Sequence, residues 1–201
     1  MSPVKYNDFV IKFANVNGSG SASANSMFAK ALFRMGVPVA LRNIFPSNIE
    51  GLPTWFEVRA SEREYLGRRE GVDIMVAMNA ATYGEDIESL RPDGYLVYDS
   101  SKPLARELRR SDINEVGIPI ASLLVTEFHD PKQRQLFKNI VYVGALAALL
   151  DMDFTILTGM VSDQYKGKDA LIQPNIHALE IGHQYALDYL ECPLPFRVRP
   201  T

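Results

Sequence analysis

Residues 13–25 read "FANVNGSGSASAN", and how this stretch is taken decides the fold. Just before it, Phe9, Ile11 and Phe13 alternate with Val10 and Lys12, the period of a strand. Just after it, Met27, Phe28, Ala31, Leu32 and Met35 recur at helical spacing, and Gly36 stands where helices commonly stop. The polar, glycine-bearing stretch is therefore a hinge from a first strand into a first helix. In α/β folds such a hinge lies at the carboxyl edge of the sheet, where ligands bind.

Working outward, "VPVALRN" and "WFEVRA" read as a second and a third strand. "GVDIMVAMN" is an almost unbroken apolar run, as expected of a strand covered on both faces in a mostly parallel sheet. "YGEDIESL" predicts a helix, "DGYLVYDSS" a strand that begins at a turn, and "VGIPI" a short further strand. From Asp130 the pattern becomes helical. Asp130 and Pro131 have the cap and first-turn residues of a helix start, and the helix that follows is nearly all apolar after Asn139. "FTILTGMVSDQY" and "ALIQPNIHALEIGHQYALDYL" supply further helix, with Pro174 expected to start or kink the last. The tail "ECPLPFRVRPT" has three prolines and no period, and reads as a linker or an arm laid along something else. The expectation is an α/β fold in three layers, a mostly parallel sheet flanked by helices with a helical C-terminal third. One domain covers residues 1–190, and a Pro-rich tail or linker covers 191–201.

Composition narrows the classes. The chain has 201 residues, 47% apolar and 22% charged, with a formal charge of -3. Those are the proportions of an ordinary globular domain. Neither a basic stripe for nucleic acid nor an apolar run of about 18 residues for a membrane is present. The opening "MSPVKYNDF" is too polar for a signal peptide, so a cytoplasmic location is expected. One cysteine, Cys192, excludes an internal disulfide and cannot alone hold an iron–sulfur cluster or a zinc site.

Two readings of the hinge stand side by side. Gly18 and Gly20 let the backbone approach a ligand, Ser19, Ser21 and Ser23 offer hydroxyls, and a helix start favours phosphate or carboxylate. Alternatively, Ser21 or Ser23 caps the helix and the glycines only make the turn. No Gly-Lys-Ser/Thr follows, which excludes a P-loop. The second strand ends in "LRN", without the acidic residue that would read an NAD ribose; Arg42 there could suit a 2′-phosphate but reads as a surface residue. His177, Glu180 and His183 share one face of the last helix at metal-ligand spacing, but no second ligand-bearing helix accompanies them, and they read as helix-surface residues. His129 reads as a loop residue. "GSGSAS" is out of register for a serine nucleophile elbow. Lys166 and Lys168 flank Gly167 in a turn that could meet a phosphate but reads as a solvated turn. Trp55, in "SNIEGLPTWFE", is either a binding-surface or a core residue. No nucleophile–base or carboxylate pair emerges, so no catalytic residue and no metal ligand is assigned.

The sequence resembles the gamma subunit or gamma domain of the 2-oxoacid:ferredoxin oxidoreductases. The likeness runs through "VIKFANVNGSGSASAN", "FPSNIEGLPTWFEVRAS", "GVDIMVAMN", "NIVYVGALAAL" and "QPNIHALEIGHQYA". Asn139, Gly144, Asn175, Ala178 and Gly182 fall where the family has the same residues. Where the family's first loop usually carries four glycines, this chain has Asn15, Asn17, Gly18 and Gly20, and Glu50-Gly51-Leu52 replaces its usual Arg-Gly-Gly. In these stretches it is similar to versions with the gamma domain fused ahead of an alpha domain. The resemblance implies a component of a complex that oxidatively decarboxylates a 2-oxoacid, with 2-oxoglutarate the favoured substrate, and passes the acyl group to coenzyme A. Alpha- and beta-type partners would hold thiamine diphosphate, and partner iron–sulfur clusters would pass electrons to ferredoxin. The gamma part would contribute subunit contacts and a share of the coenzyme A site at Asn15, Asn17, Gly18, Ser19, Gly20 and Ser21, while being inactive in isolation. The alternatives are a stand-alone nucleotide-binding enzyme with a degenerate Rossmann-like loop, or a purely structural assembly subunit.

Overall fold

A computed structural model describes residues 3–46 and 49–201. Ser47 and Asn48, the start of the loop that leads to Trp55, lie outside the described residues. Among the described residues, eight strands and six α-helices follow in chain order: β1 (Lys5–Tyr6), β2 (Asp8–Val16), α1 (Ser21–Arg34), β3 (Val39–Ile44), β4 (Pro53–Ser61), β5 (Val72–Ala77), α2 (Tyr83–Glu88), β6 (Leu90–Asp99), β7 (Asn114–Ile118), α3 (Ile120–Glu127), α4 (Pro131–Leu149), α5 (Phe154–Gln164), α6 (Asp169–Tyr189) and β8 (Phe196–Arg197).

The main sheet has six strands in the order β3-β4-β2-β5-β6-β7. β2, β5, β6 and β7 pair in parallel, and β4 pairs antiparallel with both β2 and β3. β4 alone thus runs against the rest, so the mostly parallel sheet expected from the sequence is present with one reversed strand. β2 shows why the sheet is covered on both sides. Phe9, Ile11 and Phe13 enter a large core with α1 and α3–α6, while Val10 and Ala14 enter a smaller one with Trp55, Met75 and Ile87 of α2. Successive residues of a strand point to opposite faces, so a strand buried on both sides is apolar at nearly every position. All six residues of β5 are buried, in agreement with its apolar run.

α4 forms the spine of the larger layer. Asp130 accepts from the Lys132 amide at 2.9 Å and Pro131 occupies the first turn, satisfying an orphan donor and removing another. From Val141 to Leu149 every residue of α4 is buried. α6 begins at Asp169, so Pro174 lies inside the helix instead of starting it. The segment Ile120–Glu127, unassigned in the sequence, is a helix that leaves β7 after Pro119 alone; this ends the strand expected over "VGIPI" at Ile118.

Residues 191–201 lie back along the chain's own core. β8 pairs in parallel with β1, and Leu194, Phe196 and Val198 are buried. The Leu194 and Val198 amides donate to Leu149 and Leu150, and the Thr201 amide to Met35. Asn7 clasps this arm, donating to the Arg199 carbonyl at 2.9 Å and accepting from its amide at 3.0 Å.

Candidate functional site

From β2 the chain passes through α1 to β3 and β4 on one side of the sheet, whereas β5, β6 and β7 extend it on the other. The order reverses between β2 and β5. In open α/β sheets the crevice beyond the carboxyl ends of two such strands is where ligands bind. Here it is bounded by the hinge after Val16 and by the turn that begins at Met78.

The hinge is held from three directions. The Asn17 amide donates to Leu52, its carbonyl accepts from Gly51, and its side chain donates to Ile49 at 3.1 Å. From below, the Asn15 side-chain oxygen accepts from Asn25 at 3.1 Å, and the Asn25 oxygen accepts from the Tyr142 hydroxyl at 2.6 Å. All three are buried, and burial pushes the Tyr142 phenol well above its usual range, so it remains a donor. From α4, the Asn139 side chain donates to the Ser19 carbonyl at 2.8 Å. Asn15 and Asn17 are thus structural ties.

Gly18 and Gly20 have φ of 84° and 79°, the left-handed region that side chains disfavour. Gly20 is the N-cap of α1, and no side chain caps this helix, whose first turn carries no acidic residue. The reading in which Ser21 or Ser23 caps it is therefore corrected: Ser21 is the first helical residue, and a left-handed glycine occupies the cap position. The first amides of an α-helix have no partner inside it, and at α1 no side-chain cap satisfies them.

Beside the hinge lies a cavity of about 80 Å³ lined by Asn15, Ser19, Met78, Asp99, Lys138 and Asn139, among others. Ser19 and Asn15 were singled out in the sequence. Lys138 and Asp99 were not, because only the fold brings α4 and the end of β6 to the hinge. The sole sequence signal was position: Lys138 is the last charged residue of α4 before its nearly all-apolar half.

The other sequence candidates lie elsewhere. Trp55 is a core residue whose indole donates to Asp86 at 2.7 Å. His177 pairs with Glu127 at 2.9 Å, and His183 stacks on Phe154 with ring centroids 4.2 Å apart. Burial lowers the His183 pKa. Among the described residues no group of three or more His, Cys, Asp or Glu side chains is arranged to hold a metal, and no helix is long and apolar enough to cross a membrane. Gly144 and Gly182 belong to the contact of α4 with α6, where a Cβ on either would collide with the backbone of the facing helix.

Comparison with known proteins gives a consistent result. The subunit alpha of 2-oxoacid:ferredoxin oxidoreductase 2 from Aeropyrum pernix is 21% identical over 89% of this chain and 34% of its own length. The 2-oxoglutarate oxidoreductase subunit KorA of Mycobacterium tuberculosis is 22% identical over 88% of this chain and 30% of its own. The chain thus spans about a third of the curated relatives it matches. Among solved structures, the 2-oxoglutarate:ferredoxin oxidoreductase of Magnetococcus marinus, with 2-oxoglutarate, coenzyme A and succinyl-CoA bound, matches at a TM-score of 0.85 and 25% identity over 98% of this chain and 34% of that one. The pyruvate oxidoreductase subunit PORC of Thermotoga maritima shares the fold at a TM-score of 0.70 and 19% identity, over 89% of this chain and 96% of that one. The model of the pyruvate ferredoxin/flavodoxin oxidoreductase family matches residues 10–185, nearly the whole described fold, and the chain belongs to that family.

Proposed function

We propose that this chain is the gamma component of a thiamine diphosphate-dependent 2-oxoacid:ferredoxin oxidoreductase and contributes the hinge Asn15–Ser21 to its coenzyme A site. The observation that carries the reading is the uncapped start of α1 at left-handed Gly20, set at the switch point of the sheet. Unused amides and a helix dipole there suit the phosphates of coenzyme A. Within the complex the coenzyme's thiol would take the acyl group left once carbon dioxide has gone and two electrons have passed to the partners' iron–sulfur clusters and ferredoxin; this chain's part is to bind and orient the coenzyme.

The rest of the chemistry falls to alpha- and beta-type partners. They would hold thiamine diphosphate and the iron–sulfur clusters that serve ferredoxin, since Cys192 is the only thiol here and is partly buried in the core. The 2-oxoglutarate substrate is supported by the Magnetococcus structure, which binds it, and by the KorA relative. Both are much longer than this chain, and the longer Magnetococcus chain is also the better structural match than the free-standing PORC subunit. A gamma domain working ahead of an alpha domain is the arrangement this favours. The isolated domain is expected to be inactive.

The test is coenzyme A affinity in the assembled complex, measured by calorimetry. Gly18→Val forces a β-branched residue into positive φ under the Glu50 side chain, and Asn17→Leu removes the tie to Ile49. Together they are expected to weaken coenzyme A about tenfold or more, the scale of two to three lost hydrogen bonds. Unchanged affinity would make the hinge a structural element only.

A further inference from the structure

We infer that Lys138 supplies the positive charge of this site and that the cavity it lines takes one phosphate group. The inference rests on the coenzyme reading above and adds to it a residue and a part of the ligand.

Three observations meet at one small space. Lys138 is half-buried, and among the described residues it has no carboxylate partner and no hydrogen bond. The Ser19 hydroxyl, from the hinge, is buried without a hydrogen-bonding partner. Asp99, which shares the cavity wall, does not answer either of them. Its carboxylate is engaged by the Ser101 amide at 3.0 Å and by the Ala121 amide at 3.3 Å, the latter at the start of α3. The Asn139 side-chain amide is likewise spent on the Ser19 carbonyl.

The two cavity groups without any partner, Lys138 and the Ser19 hydroxyl, can both donate, while Gln135 and the Asp99 carboxylate, which keeps its negative charge, complete the wall. A partly desolvated ammonium without a counter-ion and a buried hydroxyl without an acceptor each carry an unmet cost. An oxyanion with several acceptor oxygens meets both at once. At about 80 Å³, the space equals roughly three water volumes in the liquid. That is the scale of one phosphate group. The nucleoside and the pantetheine arm of a coenzyme would then lie outside, toward the exposed Leu136 that leans over Gly20.

The experiment titrates two probes. Inorganic phosphate is added to the full chain and followed by phosphorus NMR, and coenzyme A is added to the assembled complex and followed by calorimetry. Lys138→Gln is expected to weaken both about tenfold to a hundredfold, the range for a charge-assisted hydrogen bond. Lys138→Arg should hold within about fivefold, because the charge is kept. Ser19→Ala should cost less, about threefold, and should leave the melting temperature of the free chain unchanged or higher, since it removes an unsatisfied buried group. Lys132→Gln, an exposed lysine on the first turn of α4, should change neither titration. If Lys138→Gln leaves coenzyme A affinity intact while the Asn17 and Gly18 changes reduce it, the inference falls and the coenzyme reading stands. If phosphate binding depends on Lys138 but coenzyme A binds nowhere on the hinge, the anion site stands and the coenzyme reading falls. Phosphate binding shared equally by every variant is adventitious and overturns the site.

Discussion

Two pairs of glycines divide the work of this molecule. Gly144 and Gly182 sit in the contact of α4 with α6, in ordinary helical backbone. A Cβ on Gly144 would strike the Leu179 carbonyl, and one on Gly182 the Val141 carbonyl. They are glycine because two backbones touch there. Gly18 and Gly20 sit in the hinge, where what would meet a Cβ is mainly the outer part of a side chain, that of Glu50 and that of Leu136. They are glycine because the backbone turns left-handed. The first pair answers to packing density, which tolerates no added volume. The second answers to the conformation that leaves the start of α1 uncapped. The same letter in a sequence thus marks stability in one region and the candidate site in the other.

The largest expected effect tests the packed pair. Gly182→Val should destabilise the domain by about 3 kcal/mol or more, since its methyl groups meet backbone that cannot rotate away. A urea unfolding curve measures it, and a midpoint within experimental error of the parent would break the comparison. The hinge should respond more mildly. Gly20→Ala incurs the left-handed penalty of about 1–2 kcal/mol, while Leu136, which is 54% exposed, can swing aside. If Gly20→Ala proves as costly as Gly182→Val, the hinge is packed as tightly as the helix contact, and the distinction between the two regions fails.

This division also explains what could be read from the sequence and what could not. β2, α1, β5 and the start of α4 were legible because each carries its own signal: a period, a stop residue, an unbroken apolar run, an Asp-Pro cap. The reversal of β4 was not, because direction is set by partners and not by local pattern. α3 was missed because β7 runs into it through Pro119 with no polar break. The arm after Cys192 looked structureless, yet Leu194, Phe196 and Val198 alternate, and the intervening prolines hid a strand whose partner, β1, lies at the other end of the chain. At the site, the hinge itself was legible and the cap was not: serine is the better cap by preference, but left-handed Gly20 already ends the turn. Lys138 carries no signal beyond its place in α4, and Asn139, recognisable only through resemblance, acquires a physical reason in its bond to Ser19.

The smallest effect sharpens the comparison by carrying it to the thinner layer, on the far face of the sheet. There the fully buried Asp86 accepts from the Trp55 indole and from the Thr82 hydroxyl, both at 2.7 Å. Burial pushes its carboxyl above the usual aspartate value of 3.8, against the two donors and nearby Lys12, which pull it down. The sign follows from linkage. A carboxyl whose folded pKa is raised contributes stability below its unfolded pKa, and that contribution is lost as pH rises through the folded value. Asp86→Asn keeps an acceptor for Trp55, can pair with the Thr82 hydroxyl, and carries no proton to lose. Relative to this variant, the parent should therefore lose stability as pH climbs upward from about 3.8, and at neutral pH the variant should be as stable or more so, by about 1 kcal/mol at most. Parallel urea curves at several pH values measure the difference. A parent that gains on the variant as pH rises would mean that the two donors and Lys12 outweigh burial. The layer over α2 would then be an environment that favours charge, unlike the dry contact of α4 with α6.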